Sequence, residues 1–596
     1  MSGRNTALRE ADRPTHDEGP VVRQIFQYLL LALLVVVAAT GVAGLAGSVL
    51  TMVLDGSSAV SRSTLASDVA FTAVGLPLLA GLGLWSRSTL AAHERERRAA
   101  AWSTYQVVMA LVALVVTVAA ARPALAWLCG LGPAAPYATT TAVVWAAVWT
   151  VHWRLCRHLA DPTAAQLHLV GGSLFGLGVG LLGLGLLLAA ALRIWLGLDE
   201  PPLAGSSDPA RASALTLALG TAVWLRYWVW GAWRTRRGVL WLCHVLLAGA
   251  GLGLLLAVAG GSIALYRVLV WVLGDPASSD AARHFDSIPA PLAVAVVGLV
   301  SLAYHQQVLG TTTPTERTEV DRVRDYLLAG IGLGAAATGF TIVVVALAEA
   351  IADPDVLAGS GPINTLLAAL TLLAVGGPSW WRFWRRGQRT ARAEDVTLAG
   401  PELTSPTRRL YLFGLLGLAT LVAVGALLAG AWVLVDALLD GTSALALLRR
   451  LRWPLGILVT AVGLAAYHWS VYLGERSRSA ELGRTRPTAA PASGPRFVLL
   501  LGVGDAALAR DLAGRTGGEV WAWSRTETAA GTPAAADGGL SGSWSVEDLH
   551  AAAAGAEVPE VLLLAEDGEL RAVGLDRRQP VTGRAPSTVR AEPHQR

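Results

Sequence analysis

The sequence has no lysine, few charged residues and only three cysteines. Charged residues make up 15% of the 596 residues, and all 47 basic residues are arginine, whereas a soluble domain carries about 25% charged residues. Such a deficit is expected when most of the chain faces lipid, where charge is costly. Cys129, Cys156 and Cys243 lie far apart and show neither disulfide nor metal-ligand spacing. The net charge of +4 then describes loops and does not indicate a nucleic-acid surface.

Long apolar segments account for most of the chain. A bilayer core of about 30 Å is crossed by roughly 20 apolar residues in a helix. The first segment is too long for the core of a secretory signal, which has roughly 7–15 residues, so we interpret it as a retained membrane helix. Segments of this kind recur twelve times, at residues 25–54, 68–86, 103–130, 138–155, 167–198, 211–231, 240–273, 288–307, 325–352, 362–381, 410–440 and 453–473.

The apolar segments pair into similar hairpins. Odd-numbered segments are long and mostly end in aspartate, and even-numbered segments end in aromatic clusters. Self-similarity along a chain indicates duplication. We therefore predict an all-α polytopic membrane bundle of about 12 transmembrane helices in six tandem hairpins. The predicted hairpins are 23–98, 99–162, 163–238, 239–310, 320–392 and 407–473, and the recurrent aspartates are Asp55, Asp199, Asp275, Asp353 and Asp440.

The distribution of arginine predicts the orientation. Most loop arginines follow even-numbered segments, and the N-terminal tail, residues 1–22, carries more of them. Because cytoplasmic loops are enriched in arginine, we predict a plasma (inner) membrane protein with both termini in the cytoplasm. The cluster of Arg449, Arg450 and Arg452 lies on the opposite side and is not explained by this rule.

Aromatic side chains at the ends of the even-numbered segments predict an interfacial belt. Tryptophan prefers the headgroup layer because its ring is apolar and its N–H is polar. His152, His305 and His468 lie at comparable positions, which leaves open a role in metal binding or proton transfer beside simple anchoring. The predicted inner belt consists of Trp85, Trp153, Trp228, Trp380, Trp384 and Trp469.

A few charged residues lie inside the odd-numbered segments, near their outer ends. An ionisable residue within a membrane span is a candidate functional site. Arg267, Glu349 and Asp436 therefore predict an outer vestibule. The alternative is that these side chains extend to the interface and pair there.

The composition changes after the last apolar segment. Residues 474–495 form a polar linker, residues 496–576 alternate strand and helix patterns, and residues 577–596 are predicted to be disordered. This predicts a small C-terminal α/β domain in the cytoplasm. Gly502, Gly504 and Ala507 follow the first strand and open a helix, as in a dinucleotide fingerprint. An ordinary tight turn is the alternative, and we predict no cofactor and no metal.

The hairpins resemble a family of bacterial integral-membrane domains of unknown function, number 5671. The resemblance covers about residues 25–475 and implies tandem transmembrane hairpins without a known activity. The third hairpin departs from it, because His168 stands where tyrosine is expected. The residues that carry the resemblance are Tyr411 with Gly414, Gly417 and Gly463 to Trp469, Tyr326 with Gly376, Pro378 and Trp380, and Tyr28 with Gly75, Pro77 and Trp85.

No hydrolytic, phosphate-loop or paired-cysteine signature is present in the sequence. We therefore predict a non-enzymatic scaffold or sensor with a cytoplasmic α/β module. Its expected partners are the lipid bilayer and other membrane proteins or a cytoplasmic protein, without nucleic acid. A transporter or channel for a small solute is the first alternative, and a nucleotide-binding regulatory module is the second.

Overall fold

A computed structural model describes residues 18–55, 60–198, 209–310, 317–352, 360–485, 495–501, 506–523, 544–556, 558, 560–566 and 569–575. The chain divides into two compact units, Met1–Glu475 and Arg476–Arg596. Sixteen α-helices are described from the first unit to the start of the second. They are α1 Glu18–Asp55, α2 Arg62–Ala92, α3 Glu94–Arg97, α4 Ala100–Leu128, α5 Pro136–Cys156, α6 Pro162–Trp195, α7 Pro209–Trp224, α8 Val239–Cys243, α9 Leu252–Leu273, α10 Ala281–Phe285, α11 Pro289–Leu309, α12 Glu319–Ala352, α13 Ser360–Ala391, α14 Val396–Thr404, α15 Pro406–Leu439 and α16 Ala444–Thr485.

Every predicted apolar segment lies largely within helical structure, but not every helix is a strong membrane span. In the described part of the chain, ten helices are long and apolar enough to cross a membrane, against about twelve predicted. Segments 138–155 and 211–231 account for the difference. The threonines, tryptophans and histidine of α5 lower its mean hydropathy, and α7 ends at Trp224 in a π-helical turn, Leu225–Val229.

Consecutive long helices pack against each other throughout the first unit. The neighbouring pairs include α1 with α2, α4 with α5, α6 with α7, α9 with α11, and α12 with α13. In the pair formed by α15 and α16, the rings of Phe413 and Tyr472 lie 5.1 Å apart. A second π-helical segment, His244–Gly251, joins α8 to α9. Such turns widen a helix locally and are frequent at functional sites.

Glycine allows two of these helices to touch through their backbones. A Cβ atom added at Gly220 of α7 would lie 2.2 Å from the backbone nitrogen of Gly180 on α6. One added at Gly176 of α6 would lie 2.5 Å from the backbone nitrogen of Trp224. Small residues at helix contacts are typical of membrane bundles, where close packing replaces the hydrophobic effect.

The C-terminal unit contains the predicted small sheet. Its elements are β1 Phe497–Leu501, α17 Ala506–Thr516, β2 Glu519–Trp523, α18 Val546–Gly555, β3 Glu560–Glu566 and β4 Glu569–Gly574. The strand order is β2-β1-β3-β4, with β1 parallel to β2 and β3, and with β4 antiparallel to β3. The prediction of a small α/β unit near the C-terminus is confirmed, and its sheet has four strands among the described residues. The core of this unit is formed by Val498, Leu500, Leu512, Leu549, Ala553, Val561 and Leu563.

Two predicted boundaries differ from the structure. The predicted linker, 474–495, begins inside α16, which continues to Thr485 because Glu475 and the residues that follow remain helical. The predicted N-terminal tail, 1–22, ends inside α1, which begins at Glu18. The predicted disordered tail, 577–596, lies outside the described residues.

Candidate functional site

Buried ring side chains form three comparable groups in the membrane unit. Each group combines rings from two neighbouring helix pairs, and in each a histidine of the last helix lies beside a ring of the helix before it. The centroid distances are 5.7 Å for Tyr105–His152, 5.8 Å for His244–His305 and 6.1 Å for Tyr411–His468. We call these the first, second and third ring groups, which consist of Tyr28, Tyr105 and His152; of His168, Trp228, His244 and His305; and of Tyr326, Trp384, Tyr411 and His468, of which Tyr411 is partly buried and the others are buried.

The three histidines share one hydrogen-bond geometry. In His152, His305 and His468, the Nδ1 atom donates to the carbonyl oxygen four residues earlier, at 2.8 Å in each case. The opposite nitrogen is then an acceptor. The Tyr105 hydroxyl donates to Nε2 of His152 at 3.2 Å, whereas Nε2 of His305 and of His468 has no hydrogen-bond partner among the described residues.

The histidines do not converge on a metal site. Among the described residues, no group of three or more histidine, cysteine, aspartate or glutamate side chains could hold a metal ion. The second ring group nevertheless concentrates unpartnered nitrogens, since both ring nitrogens of His168 and Nε2 of His244 make no hydrogen bond within the described structure. The group is buried beside the π-helical segment 244–251.

Tryptophan-to-tyrosine hydrogen bonds connect successive helix pairs. The indole N–H donates to a phenol oxygen from Trp149 to Tyr227 at 2.7 Å, from Trp228 to Tyr304 at 2.8 Å and from Trp384 to Tyr467 at 2.7 Å. A buried indole needs such a partner.

Two of the predicted belt tryptophans are therefore interior residues. Trp228 and Trp384 are 0% exposed, so they contact neighbouring helices and not a headgroup layer. Trp85 and Trp469 are about half exposed, at 47% and 46%. Trp153 is partly buried and lies under the guanidinium of Arg226, 4.3 Å from its ring centroid. Trp380 is also partly buried and packs on Tyr467.

Removal of one phenol oxygen tests this linkage. We expect Tyr467→Phe to lower the free energy of unfolding by about 1–3 kcal/mol, because the buried indole N–H of Trp384 loses its acceptor. Tyr472→Phe on the same helix is the matched control, since its hydroxyl makes no hydrogen bond among the described residues. Denaturant unfolding of the purified protein measures both. Equal losses for the two variants would contradict the linkage.

A buried network of charges surrounds Glu402 at one end of the third ring group. Glu402 lies on the short helix α14 and is completely buried. Its Oε2 atom accepts from Arg317 at 3.0 Å and from Arg322 at 2.9 Å. Its Oε1 atom accepts from the Tyr326 hydroxyl at 2.5 Å.

Asp395 caps α14, and hydrogen bonds from the hydroxyl and amide of Thr397 lower the pKa of this exposed carboxyl group.

Arg408 extends the network to the last helix. Its guanidinium, 1% exposed, donates to the Tyr326 hydroxyl at 2.5 Å and to Glu475 of α16 through Nε at 3.0 Å. Arg317 also pairs with Asp325 at 2.9 Å. Side chains from α12, α14, α15 and α16 are thus held together by charge-assisted hydrogen bonds, which are stronger than neutral ones. The sequence analysis did not identify this cluster.

The first ring group has a related but smaller network. Glu96 precedes Tyr105 by nine residues, as Glu402 precedes Tyr411. Glu96 pairs with Arg23 and accepts from Gln24 at 2.9 Å. It does not reach Tyr28, whose buried hydroxyl has no hydrogen-bond partner in the described part of the chain.

The predicted outer vestibule is only partly assembled. Asp436 pairs with Arg450 at 3.4 Å, and Glu349 lies 3.9 Å from Arg452. These contacts give the unexplained arginine cluster a role, because α16 begins at Ala444 and turns its arginines toward acidic groups of α12 and α15. Arg267 is not joined to either acid by an ion pair within the described structure. Its carbonyl oxygen accepts from Nε2 of His284 at 3.0 Å.

The predicted nucleotide motif is only partly described. Gly502 and Gly504 lie outside the described residues, and Ala507 lies in the first turn of α17. The surrounding elements have the predicted order, since β1 leads into α17 and then into the parallel strand β2. The role of Gly502 and Gly504 in binding a nucleotide stays a prediction.

Together, the fold and the paired interior charges define a class, a helical protein of the membrane with a small α/β unit near its C-terminus. Residues 24–151 and 322–463 match the model of the family described as domain of unknown function (DUF5671). The predicted resemblance to this family is confirmed for these two regions. Comparison with curated proteins and with solved structures finds no match.

Proposed function

We propose that the protein is a non-enzymatic scaffold or sensor of the plasma membrane, built from about twelve spans in six tandem hairpins. Both termini would lie in the cytoplasm, and the C-terminal α/β unit would contact a ligand or a partner protein. The Glu402 network carries this proposal. It neutralises its buried charges internally and joins four helices, including α16, which continues along the chain toward the α/β unit.

The network supports a sensor because it couples the position of α16 to the buried side chains of the third ring group. Glu475 stands on α16, ten residues before the helix ends at Thr485. Any displacement of α16 must separate Glu475 from Arg408 or carry Arg408 with it. A movement of Arg408 would disturb its hydrogen bond to Tyr326, and thereby the hydrogen bond from Tyr326 to Glu402. A signal at the C-terminal side would thereby reach the third ring group.

The ring groups support tandem duplication. The two regions that match the family model each cover most of two helix pairs and most of one ring group, and they end shortly before His152 and His468. Residues between them contain two further helix pairs and the second ring group, with His168 and His244 in place of tyrosines. We infer that the middle section is a diverged third copy. Helix pairs copied in this way would all have the same orientation.

Chemical labelling tests the orientation. In a chain with its three cysteines replaced by serine, Thr442→Cys should react with a membrane-impermeant maleimide on intact cells. A cysteine introduced at His594, near the C-terminus, should react only after the membrane is permeabilised. The same accessibility for both positions would exclude the proposed topology.

Quantitative co-purification tests the scaffold function. Full-length protein and a chain ending at Thr485 are isolated from membranes at native expression, with isotope labels that distinguish them. We expect at least one protein to be recovered in stoichiometric amounts with the full chain and lost from the shortened chain. Identical co-purification profiles would contradict a partner-binding role for the α/β unit.

A transporter or channel is the second candidate, and the second ring group favours it. π-helical segments are frequent at functional sites, and histidine can carry protons at near-neutral pH. Solute or proton flux in proteoliposomes, abolished by Asp436→Asn or Arg267→Ala, would support this alternative. Under the scaffold proposal, we expect no flux above that of protein-free vesicles.

Nucleotide binding by the C-terminal unit is the third candidate. It is supported by the β1–α17–β2 crossover, which places a helix N-terminus after a parallel strand. Calorimetric titration of the full chain with NADPH or ATP tests it. Titrations that release no heat would eliminate this candidate.

A further inference from the structure

An open groove lies between α1 and α4 in the first ring group. It has a volume of about 750 Å³. Its sides are apolar, and several of its residues are exposed, including Ile25 (53%), Leu29 (65%) and Val108 (49%). Both helices belong to the apolar spans, so the groove is open toward the region that lipid chains occupy.

One end of the groove is basic. Arg95 and Arg98, from α3 and the turn after it, line this end together with Gln24 of α1. Arg98 pairs with Glu94 at 2.6 Å, but both side chains are largely exposed, at 70% and 64%. An exposed pair of this kind contributes about 0–1 kcal/mol, so an anion can replace Glu94. Arg95 makes no ion pair within the described structure.

One residue of the groove wall carries a buried hydroxyl without a partner among the described residues. Tyr28 lines the groove and is 3% exposed, and its hydroxyl makes no hydrogen bond in the described part of the chain. A buried polar atom left in this state costs about 1–3 kcal/mol. It therefore points to a ligand oxygen that is absent from the protein itself.

The third ring group shows why this space is open. There, Tyr326 is satisfied by Glu402 and Arg408. Arg408 stands three residues before Tyr411, and the residue three before Tyr105 is Trp102, which lies against Tyr28 with a centroid distance of 5.3 Å. The Trp102 indole packs on the Tyr28 ring but makes no hydrogen bond to the Tyr28 hydroxyl in the described part of the chain, and Glu96 is held by Arg23 and Gln24 instead.

We propose that the groove binds one anionic phospholipid. The phosphate lies between Arg95 and Arg98, an acyl chain lies along the apolar faces of α1 and α4, and an ester or headgroup oxygen accepts from Tyr28. A basic site beside an apolar channel fits this ligand because it offers both parts of an amphiphile their preferred surroundings. The lipid comes from the arginine-rich side of the membrane, which the proposed topology places in the cytoplasm.

Lipid titration of the intact protein tests the proposal. The full chain is purified in a neutral detergent and titrated with phosphatidylglycerol, with phosphatidylcholine or with inorganic phosphate. Retained lipid is measured by native mass spectrometry, and stability by thermal unfolding. We expect one phosphatidylglycerol molecule to be retained and to raise the unfolding temperature, whereas phosphatidylcholine and inorganic phosphate do neither.

Matched variants assign the binding to the groove. Arg95→Ala with Arg98→Ala should weaken phosphatidylglycerol binding about 30-fold, since each arginine near an anionic lipid contributes about a factor of five. Arg97→Ala is the control, because Arg97 lies in the same helix but bonds the carbonyl of Leu90 and does not line the groove. Ala101→Trp should also abolish retention by filling the groove without a change of charge.

Several outcomes would overturn the proposal. Equal retention of both phospholipids, equal losses for the Arg97 variant and the double variant, or unchanged binding in Ala101→Trp would each do so. Retention that appears only after removal of residues 1–17 would assign the groove to the chain's own N-terminal segment. Variants are compared only when their lipid-free unfolding temperature equals that of the wild type, and Thr104→Trp replaces Ala101→Trp if the latter does not fold. The result is independent of whether the protein is a scaffold or a transporter.

Discussion

Replacement of Arg408 by methionine is expected to lower the free energy of unfolding by about 3–5 kcal/mol, the range measured when one member of a buried ion pair is removed. The side chain is 1% exposed and contacts Tyr326, Glu402 and Glu475. Methionine preserves most of the volume but leaves Glu475 without its main partner. Denaturant unfolding of the purified protein, followed by a change in tryptophan emission, measures the loss.

The neighbouring arginine provides the control. Arg409 is exposed on the same helix, so Arg409→Met should change the free energy of unfolding by less than about 0.5 kcal/mol. A second variant, Arg408→Met with Glu475→Gln, should recover part of the loss because it removes the unpaired charge. Equal effects for Arg408→Met and Arg409→Met would show that the network contributes nothing to stability.

If the network also transmits a signal, Arg408→Met has a second consequence. The chain should remain in the membrane while the co-purification of its partner changes, because α16 loses the ion pair between Glu475 and Arg408 of α15. The shortened chain ending at Thr485 separates this effect from simple loss of the α/β unit. A variant with unchanged partner binding and reduced stability would retain the scaffold and exclude the sensor.

Hydropathy predicted the positions of the helices but not all of their ends. The segment predicted to start at Trp453 belongs to a helix that starts at Ala444. Lipid-based patterns recognise only the apolar part of a helix, whereas α16 extends beyond it through Arg450, which pairs with Asp436 and Asp440. Ion pairs that form only when separate helices pack together cannot be recognised from the local sequence. The arginine cluster could therefore not be explained before the structure was known.

The ring groups show that sequence spacing can identify related residues without revealing whether they are buried. His152, His305 and His468 could be recognised in the sequence because they lie at similar distances along the chain. Trp228 and Trp384 occupy the intervening places in that series, but tryptophan at a helix end is also typical of an interface. Composition alone could not separate these two environments, and only burial did. The regular spacing of Trp228 and Trp384 between the three histidines was the signal in the sequence that related them to the ring groups.

Glu402 could not be found by motif or hydropathy. It lies in a polar connection between apolar segments, where glutamate is expected to face water. Its burial follows from α14, a nine-residue helix that returns it to Tyr326. The one signal was its distance of nine residues from Tyr411, equal to that between Glu96 and Tyr105. This relation becomes visible only when the helix pairs are aligned by their ring groups.

The contact between α6 and α7 leads to the prediction with the clearest sign. Gly220→Ala should destabilise the protein by about 1–3 kcal/mol, the usual cost of overpacking, because the new Cβ would meet the backbone of Gly180 at 2.2 Å. Backbone atoms cannot move aside as a flexible side chain can. Separation of the two helices would also weaken the π-helical turn that positions Tyr227 and Trp228.

Gly178→Ala is the matched control, since it makes the same change on α6 at a position with no atom within 4 Å of the new Cβ. Alanine favours a helix over glycine by about 1 kcal/mol, so this variant should be neutral or slightly more stable. The two substitutions thus have opposite expected signs in one helix pair, measured by denaturant unfolding of the same preparation. Stabilisation by both would mean that α6 and α7 do not touch through Gly180 and Gly220, and that the second ring group is assembled by other contacts.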